Sequence, residues 1–236
     1  MDVNSRYDAV ADDYASVAID VTRPVTAALL EVCDVTAGDC VLDLACGHGT
    51  VAREIARSGA TVIGMDISER LLDHARSLDP PGGHAVAYVH GNVASAVGFG
   101  ADEFDLIVCN FGLSDIDDLD GALNNVRRAL RPAGRFVFSI LHPCFAGADD
   151  VSGSWATHGT YYDELFWRAD GELSTLRQQV GANHRMLSTY VNTLQQHGLS
   201  IDVIKEPRPE ESWTIDRPVA ARQPVYLVVR CLITAT

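Results

Sequence analysis

Short apolar runs alternate with amphipathic stretches over the first 142 residues of the chain. Five of these runs are continuous, which is typical of buried strands in a parallel sheet, and they cover residues 41–44, 60–65, 85–89, 104–109 and 135–141. Between the first two runs, Val51, Ala52, Ile55 and Ala56 recur at helical spacing. This alternation predicts an α/β fold with helices on both faces of a mostly parallel sheet.

Further elements are predicted on either side of this region. One helical face before the sheet is formed by Tyr7, Val10, Ala11 and Tyr14. A second helix is predicted over residues 21–33, after a break at residues 20–24, and residues 131–134 are predicted to end a later helix. Another helix ends at Gly198 and lies before two apolar runs, at residues 199–204 and 225–233, which predict the last two strands.

The most informative local pattern is the turn after the first apolar run. The run carries one acid, Asp43, and stops at Gly47 and Gly49, which indicates a strand that turns sharply into a helix with its backbone open to a ligand. The second run ends at Asp66, where a carboxylate suits the two hydroxyls of a ribose. Asp43 would crowd a pyrophosphate and favours a ligand with an ammonium or sulfonium charge. However, Gly47, Gly49 and Ala52 also match the G-x-G-x-x-A fingerprint of dinucleotide enzymes.

The D-x-x-C-G-x-G pattern of residues 43–49 resembles motif I of the class I S-adenosylmethionine-dependent methyltransferases. Residues 104–111 resemble motif IV of that family, and Asn92 stands where the family usually places an acid. The likeness covers residues 5–142 most strongly. It implies a Rossmann-like sheet of seven strands, mostly parallel with an antiparallel C-terminal hairpin, and S-adenosyl-L-methionine as the cofactor.

The resemblance also implies roles for individual residues. Asp43 is expected to hold the amino acid end of the cofactor, Asp66 the ribose, and Asn92 the adenine amine. The full set of expected cofactor-binding residues is Tyr14, Asp43, Ala45, Cys46, Gly47, Gly49, Asp66, Ile67, Asn92, Val93 and Asn110. Residues 1–36 are expected to form a helical lid, because Tyr7, Ala11 and Tyr14 look like the lid element of the family. Ordinary core packing of the two tyrosines is the alternative.

Residues 143–185 are rich in aromatic residues and glycine, and are predicted to be a substrate-binding insertion. A small hairpin layer packed on the sheet is the alternative. The expected substrate residues are Trp155, Tyr161, His184 and Arg185. His142 ends the fifth predicted strand and is the candidate general base, because a histidine titrates near neutral pH. The alternative is a structural histidine bonded to loop backbone.

Composition and charge limit which partners and metals the chain is expected to bind. The 236 residues suit a single methyltransferase domain, residues 1–236, and the formal charge of −14 argues against a nucleic acid partner. Six scattered cysteines indicate no zinc site and no disulfide framework, so no metal is expected. The chain shows no signal peptide and no run near the ~20 apolar residues of a membrane helix, so a soluble, cytoplasmic protein is expected. The oligomeric state is not predicted.

These patterns favour methyl transfer to an oxygen, nitrogen or carbon nucleophile of a small organic acceptor, in secondary metabolism. Asn110 is followed by Phe111 and Gly112, so the Asn-Pro-Pro-aromatic turn of amine methylases is missing. Three other functions stay open. They are an S-adenosylmethionine-dependent cyclase or decarboxylase, an NAD-dependent oxidoreductase, and a non-catalytic subunit that binds the cofactor.

Overall fold

The computed structural model describes residues 4–12, 14, 19–79, 86–95, 99–148, 151–155, 159–170 and 175–234. Its main sheet has seven strands, β1 (Cys40–Leu44), β2 (Thr61–Asp66), β3 (Ala87–His90), β4 (Phe104–Asn110), β5 (Leu130–Leu141), β10 (Leu199–Lys205) and β11 (Tyr226–Ile233). Their order across the sheet is β10-β11-β5-β4-β1-β2-β3. The first five strands pair in parallel, and β11 pairs antiparallel with both β5 and β10. The predicted fold class is confirmed.

Helices pack against both faces of this sheet. The longer ones are α2 (Ile19–Cys33), α3 (Thr50–Ala56), α4 (Glu69–Leu78), α5 (Leu119–Ala129) and α7 (Leu187–Gln196). Shorter ones are α1 (Asn4–Asp8), α6 (Thr175–Val180) and α8 (Glu211–Thr214). Alternate residues of a strand point to opposite faces, so Val41 packs with α2 and α3 whereas Leu42 packs with α5 and α7. Each face therefore buries its own apolar cluster.

Polar side chains start two of these helices. The Ser68 hydroxyl accepts a hydrogen bond from the backbone N–H of Leu71 at the start of α4. The Asp118 carboxylate accepts one from Gly121 at the start of α5. Each side chain satisfies a backbone donor that a helix leaves free in its first turn.

Three predicted boundaries differ from the structure. The break predicted at residues 20–24 was wrong, because α2 begins at Ile19 and contains Pro24. Pro24 lies close to the start of the helix, where few backbone N–H groups have a helical partner to lose. The helix predicted to end at residues 131–134 does end before them, at Ala129, but β5 begins at Leu130 instead of Arg135, with residues 131–134 as an irregularity where the pairing with β4 shifts in register. The third run forms β3, at Ala87–His90 instead of residues 85–89; residue 85 lies outside the described part of the chain.

The described residues of the insertion form a small layer of short strands. These strands are β6 (Gly147–Ala148), β7 (Val151–Ser152), β8 (Phe166–Trp167) and β9 (Ala182–Asn183). The pairs β6–β7 and β8–β9 are antiparallel, and Trp167 is buried against Ala169 and Ala182. The arrangement agrees with the hairpin alternative at the level of structure and leaves a substrate role untested. In the described part of the chain, no helix combines the length and apolar character needed to cross a membrane.

Candidate active site

A cavity of about 290 Å³ lies at the carboxyl ends of β1 and β4. From the sheet side it is lined by Asp43, Ala45, Cys46, His48, Asn110 and Phe111. Tyr14 and residues of α2, among them Thr26 and Leu30, close its other side. In open α/β sheets ligands bind at this edge, because neighbouring strand ends meet there and their loops diverge.

The backbone around the cavity is held in unusual conformations. Ala45 has φ 53° and Phe111 has φ 61°, both in the left-handed region that residues other than glycine rarely adopt. Each residue follows a central strand, Ala45 after β1 and Phe111 after β4. Strain of this kind costs about 1–3 kcal/mol per residue and is found most often at functional sites.

The two glycines of the turn serve different purposes. Gly47 has φ 55°, and a Cβ added there would lie 3.6 Å from the Tyr14 ring, so its surface towards the lid is bare. Gly49 has φ 78°, and a Cβ there would lie 2.4 Å from the Tyr88 hydroxyl and 2.9 Å from Arg53. Gly49 therefore allows β3 and α3 to pack closely, whereas Gly47 leaves space beside the cavity.

Asp43 is the most unusual charged group of the site. Its side chain is 1% exposed, and neither carboxylate oxygen has a hydrogen-bond partner among the described residues. Burial is the main cause that raises the pKa of Asp43 to about 8; the nearby backbone N–H of Ala52 opposes the rise without meeting hydrogen-bond geometry, and the charge of Asp66 contributes to it. A buried carboxylate without partners is costly, so its place at the cavity wall indicates a cationic ligand.

Asp66 ends β2 and is tied to the glycine turn. One carboxylate oxygen accepts from the backbone N–H of Gly47 at 2.8 Å, and the other accepts from Ser68 at 2.9 Å. Burial raises the pKa of Asp66, while these backbone donors oppose the change. Each oxygen keeps a second lone pair, so the carboxylate is still able to accept from two ribose hydroxyls.

Tyr14 connects the N-terminal segment to the turn. Its ring lies edge-on to His48, with centroids 5.7 Å apart, and edge-on to Tyr7 at 5.8 Å. Burial raises the pKa of Tyr14 to about 12, so the hydroxyl stays protonated. The lid expected over residues 1–36 stays a prediction, and residues 1–3, 13 and 15–18 of it lie outside the described part of the chain.

The structure does not bring all of the expected cofactor-binding residues together in this cavity. Asn110 lines it, and the Asn110 side-chain oxygen accepts a hydrogen bond from Ser139 at 2.6 Å. Asn92 and Val93 instead border a separate narrow gap beneath α5, and the Asn92 side-chain oxygen accepts from Ala94 at 2.9 Å. The Ile67 carbonyl accepts from His90. Cofactor contacts of Asn92, Val93 and Ile67 therefore stay predictions.

His142 is placed at the end of β5 as expected, and both of its ring nitrogens have partners. Nδ1 accepts from the backbone N–H of Cys144 at 3.1 Å, and Nε2 lies 3.1 Å from a Glu206 carboxylate oxygen. Burial lowers the pKa of His142, and Glu206 opposes that change. Acting as a base would require one of these bonds to open, so the catalytic role remains a prediction.

The predicted substrate residues lie together in the insertion. His184 packs edge-on against Tyr161, with centroids 5.8 Å apart, and tilted against Trp155 at 6.5 Å. The Tyr161 hydroxyl accepts from the backbone N–H of Leu187. Arg185 donates to three backbone carbonyls of the loop after β4, those of Leu113, Ile116 and Asp117. Arg185 thus fastens the insertion to that loop, which the sequence did not reveal.

Two further features of the site were not predicted from the sequence. His48 lines the cavity, is 8% exposed and has its pKa lowered by burial. Its position between Gly47 and Gly49 was the available signal. Arg177 forms an ion pair with Asp115 at 2.5 Å, and Asp115 also accepts from the Tyr7 hydroxyl at 2.6 Å. This network joins the N-terminal segment, the loop after β4 and the insertion through residues that no local pattern connects.

A doubly wound sheet with a glycine turn and two buried acids at one edge defines an α/β protein that binds a nucleoside cofactor. Comparison with known proteins makes this specific, since the family model of a methyltransferase domain matches residues 42–138. A solved S-adenosylmethionine dependent methyltransferase from Mesorhizobium loti is 28% identical, with a TM-score of 0.69 over 89% of this chain and 96% of that chain. These matches identify a methyltransferase domain at residues 42–138 and support the class I S-adenosylmethionine-dependent methyltransferase family that the motifs predicted.

Relatives of known sequence agree with this assignment. An uncharacterized methyltransferase of Synechocystis is 36% identical over 115 residues, which are 48% of this chain and 52% of that protein. A demethylmenaquinone methyltransferase of Streptomyces avermitilis is 30% identical over 169 residues, 71% of this chain and 65% of that protein. The chain spans about half the length of the curated relatives that it matches first.

The residues at the cavity fit the cofactor of this family. The unpartnered carboxylate of Asp43 would hold the ammonium group of S-adenosylmethionine, and the second lone pairs of Asp66 would hold its ribose. The backbone N–H of Gly47 holds the Asp66 carboxylate beside the turn. No group of three or more metal-ligating side chains occurs within the described ranges.

Proposed function

We propose that this protein transfers a methyl group from S-adenosylmethionine to a small organic acceptor. The observation that carries the proposal is Asp43, a buried carboxylate whose oxygens have no partner in the described part of the chain, at the wall of the cavity beside the glycine turn. When bound, the cofactor supplies an electrophilic methyl group on a sulfonium. The protein then has to hold an acceptor in line with that methyl and keep water out.

The surroundings of the site favour a small organic compound as the acceptor. The insertion places Trp155, Tyr161 and His184 in contact, which suits a planar organic compound better than a charged polymer. The net charge of −14 opposes binding of nucleic acid. Support also comes from the Streptomyces avermitilis relative, because its name describes methylation of a menaquinone precursor. A role in secondary metabolism stays part of the proposal.

Calorimetry with S-adenosylhomocysteine tests the binding half of the proposal. We expect micromolar affinity for the intact chain and at least tenfold weaker binding for Asp66→Ala, because the variant loses the ribose acceptor. Asp202→Ala is the matched control, since Asp202 on β10 pairs with Arg230 on β11, away from the cavity. No binding to the wild-type chain would refute the proposal.

Transfer itself is tested with a cofactor that carries a labelled methyl group and a panel of small phenols, amines and carbon acids. We expect the label to appear in one of these acceptors. A cyclase or decarboxylase would change its substrate without taking up the label. A binding subunit would bind both cofactor forms without product, and an oxidoreductase would bind NAD in place of S-adenosylhomocysteine.

A further inference from the structure

Two buried nitrogens of the insertion lie in neighbouring rings and lack hydrogen-bond partners. Trp155 Nε1 and His184 Nδ1 are both shielded from solvent, and neither is bonded to any residue that the structure describes. The ring centroids are 6.5 Å apart and the planes are inclined by 59°. Because buried polar groups in proteins are almost always satisfied, this pair points to a polar group of a ligand.

The hydrogen-bonding character of each nitrogen is fixed by its surroundings. His184 Nε2 lies 2.9 Å from the backbone carbonyl oxygen of Tyr161, and a carbonyl only accepts. Nε2 therefore carries the hydrogen, which leaves His184 Nδ1 as an acceptor. The indole nitrogen of Trp155 is only a donor. One donor and one acceptor side by side match a hydroxyl group, which both accepts and donates.

The position of His184 connects this pair with the candidate active site. His184 is 2% exposed and lines a narrow gap of about 10 Å³ together with Ser114, Pro143 and Trp167, whereas Trp155 packs against His184 without lining that gap. Ser114 follows the end of β4 and Pro143 follows the end of β5, so the gap lies at the same edge of the sheet as the cofactor cavity.

We propose that Trp155 and His184 bind a hydroxyl group of the acceptor. The indole N–H of Trp155 donates to the hydroxyl oxygen, and the hydroxyl donates its hydrogen to His184 Nδ1. The rings of Trp155 and Tyr161 beside His184 favour an aromatic carrier, so the acceptor class is a hydroxylated aromatic compound. This inference rests on the proposed function and narrows its acceptor.

The test uses the three tryptophan side chains of the wild-type protein as reporters, read by NMR of their indole N–H signals. Phenol is added to the S-adenosylhomocysteine complex, and anisole, which is similar in size but has no hydroxyl hydrogen, is the matched probe. We expect phenol to move the Trp155 signal and to bind at least fivefold more tightly than anisole. Trp213 packs on α8 against Arg217, away from His184, and its signal is expected to stay in place.

Variants separate recognition from packing. Trp155→Phe keeps an aromatic ring but loses the donor, and we expect about fivefold weaker phenol binding with unchanged binding of S-adenosylhomocysteine. Trp213→Phe is the matched control, since Trp213 packs against Arg217 away from His184, and it is expected to retain phenol binding. His184→Phe is expected to remove the preference for phenol over anisole.

Two results would overturn the inference. One is a Trp155 signal that does not move at saturating phenol, which would assign the two nitrogens to a buried water only. The other is equal binding of phenol and anisole. If S-adenosylhomocysteine binds while either result is found, the proposed function stands and only this inference fails. If S-adenosylhomocysteine does not bind, the proposed function itself fails.

Discussion

Asp43→Asn removes the buried titrating group from the cavity wall while keeping the shape of the side chain. An ordinary aspartate titrates near 3.8, whereas burial raises the pKa of Asp43 to about 8. Between these two pH values the folded protein holds a proton that the unfolded chain releases. Unfolding therefore releases a proton in this range, and the free energy of unfolding contributed by Asp43 falls as the pH rises.

The size of this effect follows from the pKa difference. One pH step within the range corresponds to about 1.4 kcal/mol for a single proton, so Asp43 lowers the free energy of unfolding by about 2 to 3 kcal/mol between pH 5 and pH 7. The asparagine variant does not titrate. Urea unfolding at several pH values gives the free energy of unfolding of both proteins. The difference between the two values changes with pH only through Asp43, because the other titrating groups are common to both proteins.

Binding of the cofactor should reverse the protonation of Asp43. An ammonium group beside the carboxylate favours its charged form, so S-adenosylhomocysteine binding at pH 7 is expected to release about 0.9 proton. Calorimetry in two buffers of different ionisation enthalpy measures that number. We expect the affinity of the wild-type protein to rise almost tenfold between pH 6 and pH 7, whereas Asp43→Asn should release no proton and show little dependence on pH.

Two findings together would contradict a protonated Asp43 in the free protein. They are parallel pH profiles of unfolding for the wild-type protein and Asp43→Asn, and equal proton release from both on binding. Such results would mean that the carboxylate is already ionised and paired in the free protein, and that the ammonium group lies elsewhere.

Further predictions concern the turn, the ribose site and the candidate base. Gly49→Ala should lower the free energy of unfolding by at least 1 kcal/mol more than Gly38→Ala, measured by urea unfolding; both residues have positive φ, but only Gly49 has atoms within 3 Å of the added Cβ. Equal losses would contradict the packing role of Gly49. Asp66→Ala should weaken S-adenosylhomocysteine at least tenfold by calorimetry, and unchanged affinity would exclude it from the ribose site. His142→Asn should keep turnover within tenfold and lower Tm, because both ring nitrogens make structural bonds. A loss of a hundredfold in turnover with unchanged cofactor affinity would instead establish His142 as the base.

Local patterns were sufficient wherever one segment carries the signal by itself. The run that carries Asp43 and the glycines after it predicted β1, the turn and the family, because strand burial and backbone freedom are properties of neighbouring residues. Register was harder to predict. Residues 131–134 contain proline and glycine, yet they lie within β5, because Leu130 and Arg135 on either side of them pair with Phe104 and Leu106 of β4. Long-range strand pairing overrode the local preference.

The candidate site was predicted in part for the same reason. Asp43 and Asp66 were found from their positions at strand ends. The contacts of His142 and Arg185 were not, because Glu206 and the loop after β4 are distant in sequence. The link between Arg177 and Asp115 spans 62 positions and has no periodic signal.

The sequence by itself determined the class of fold, the family and the two acids of the cofactor site, since each depends on residues a few positions apart. Only the tertiary structure decided that Asp43 is left without a partner, that both nitrogens of His142 are engaged, and that Trp155 and His184 form a donor and acceptor pair. Burial and hydrogen-bond satisfaction are properties of the packed chain. They arise when segments far apart in sequence exclude water from the same side chain.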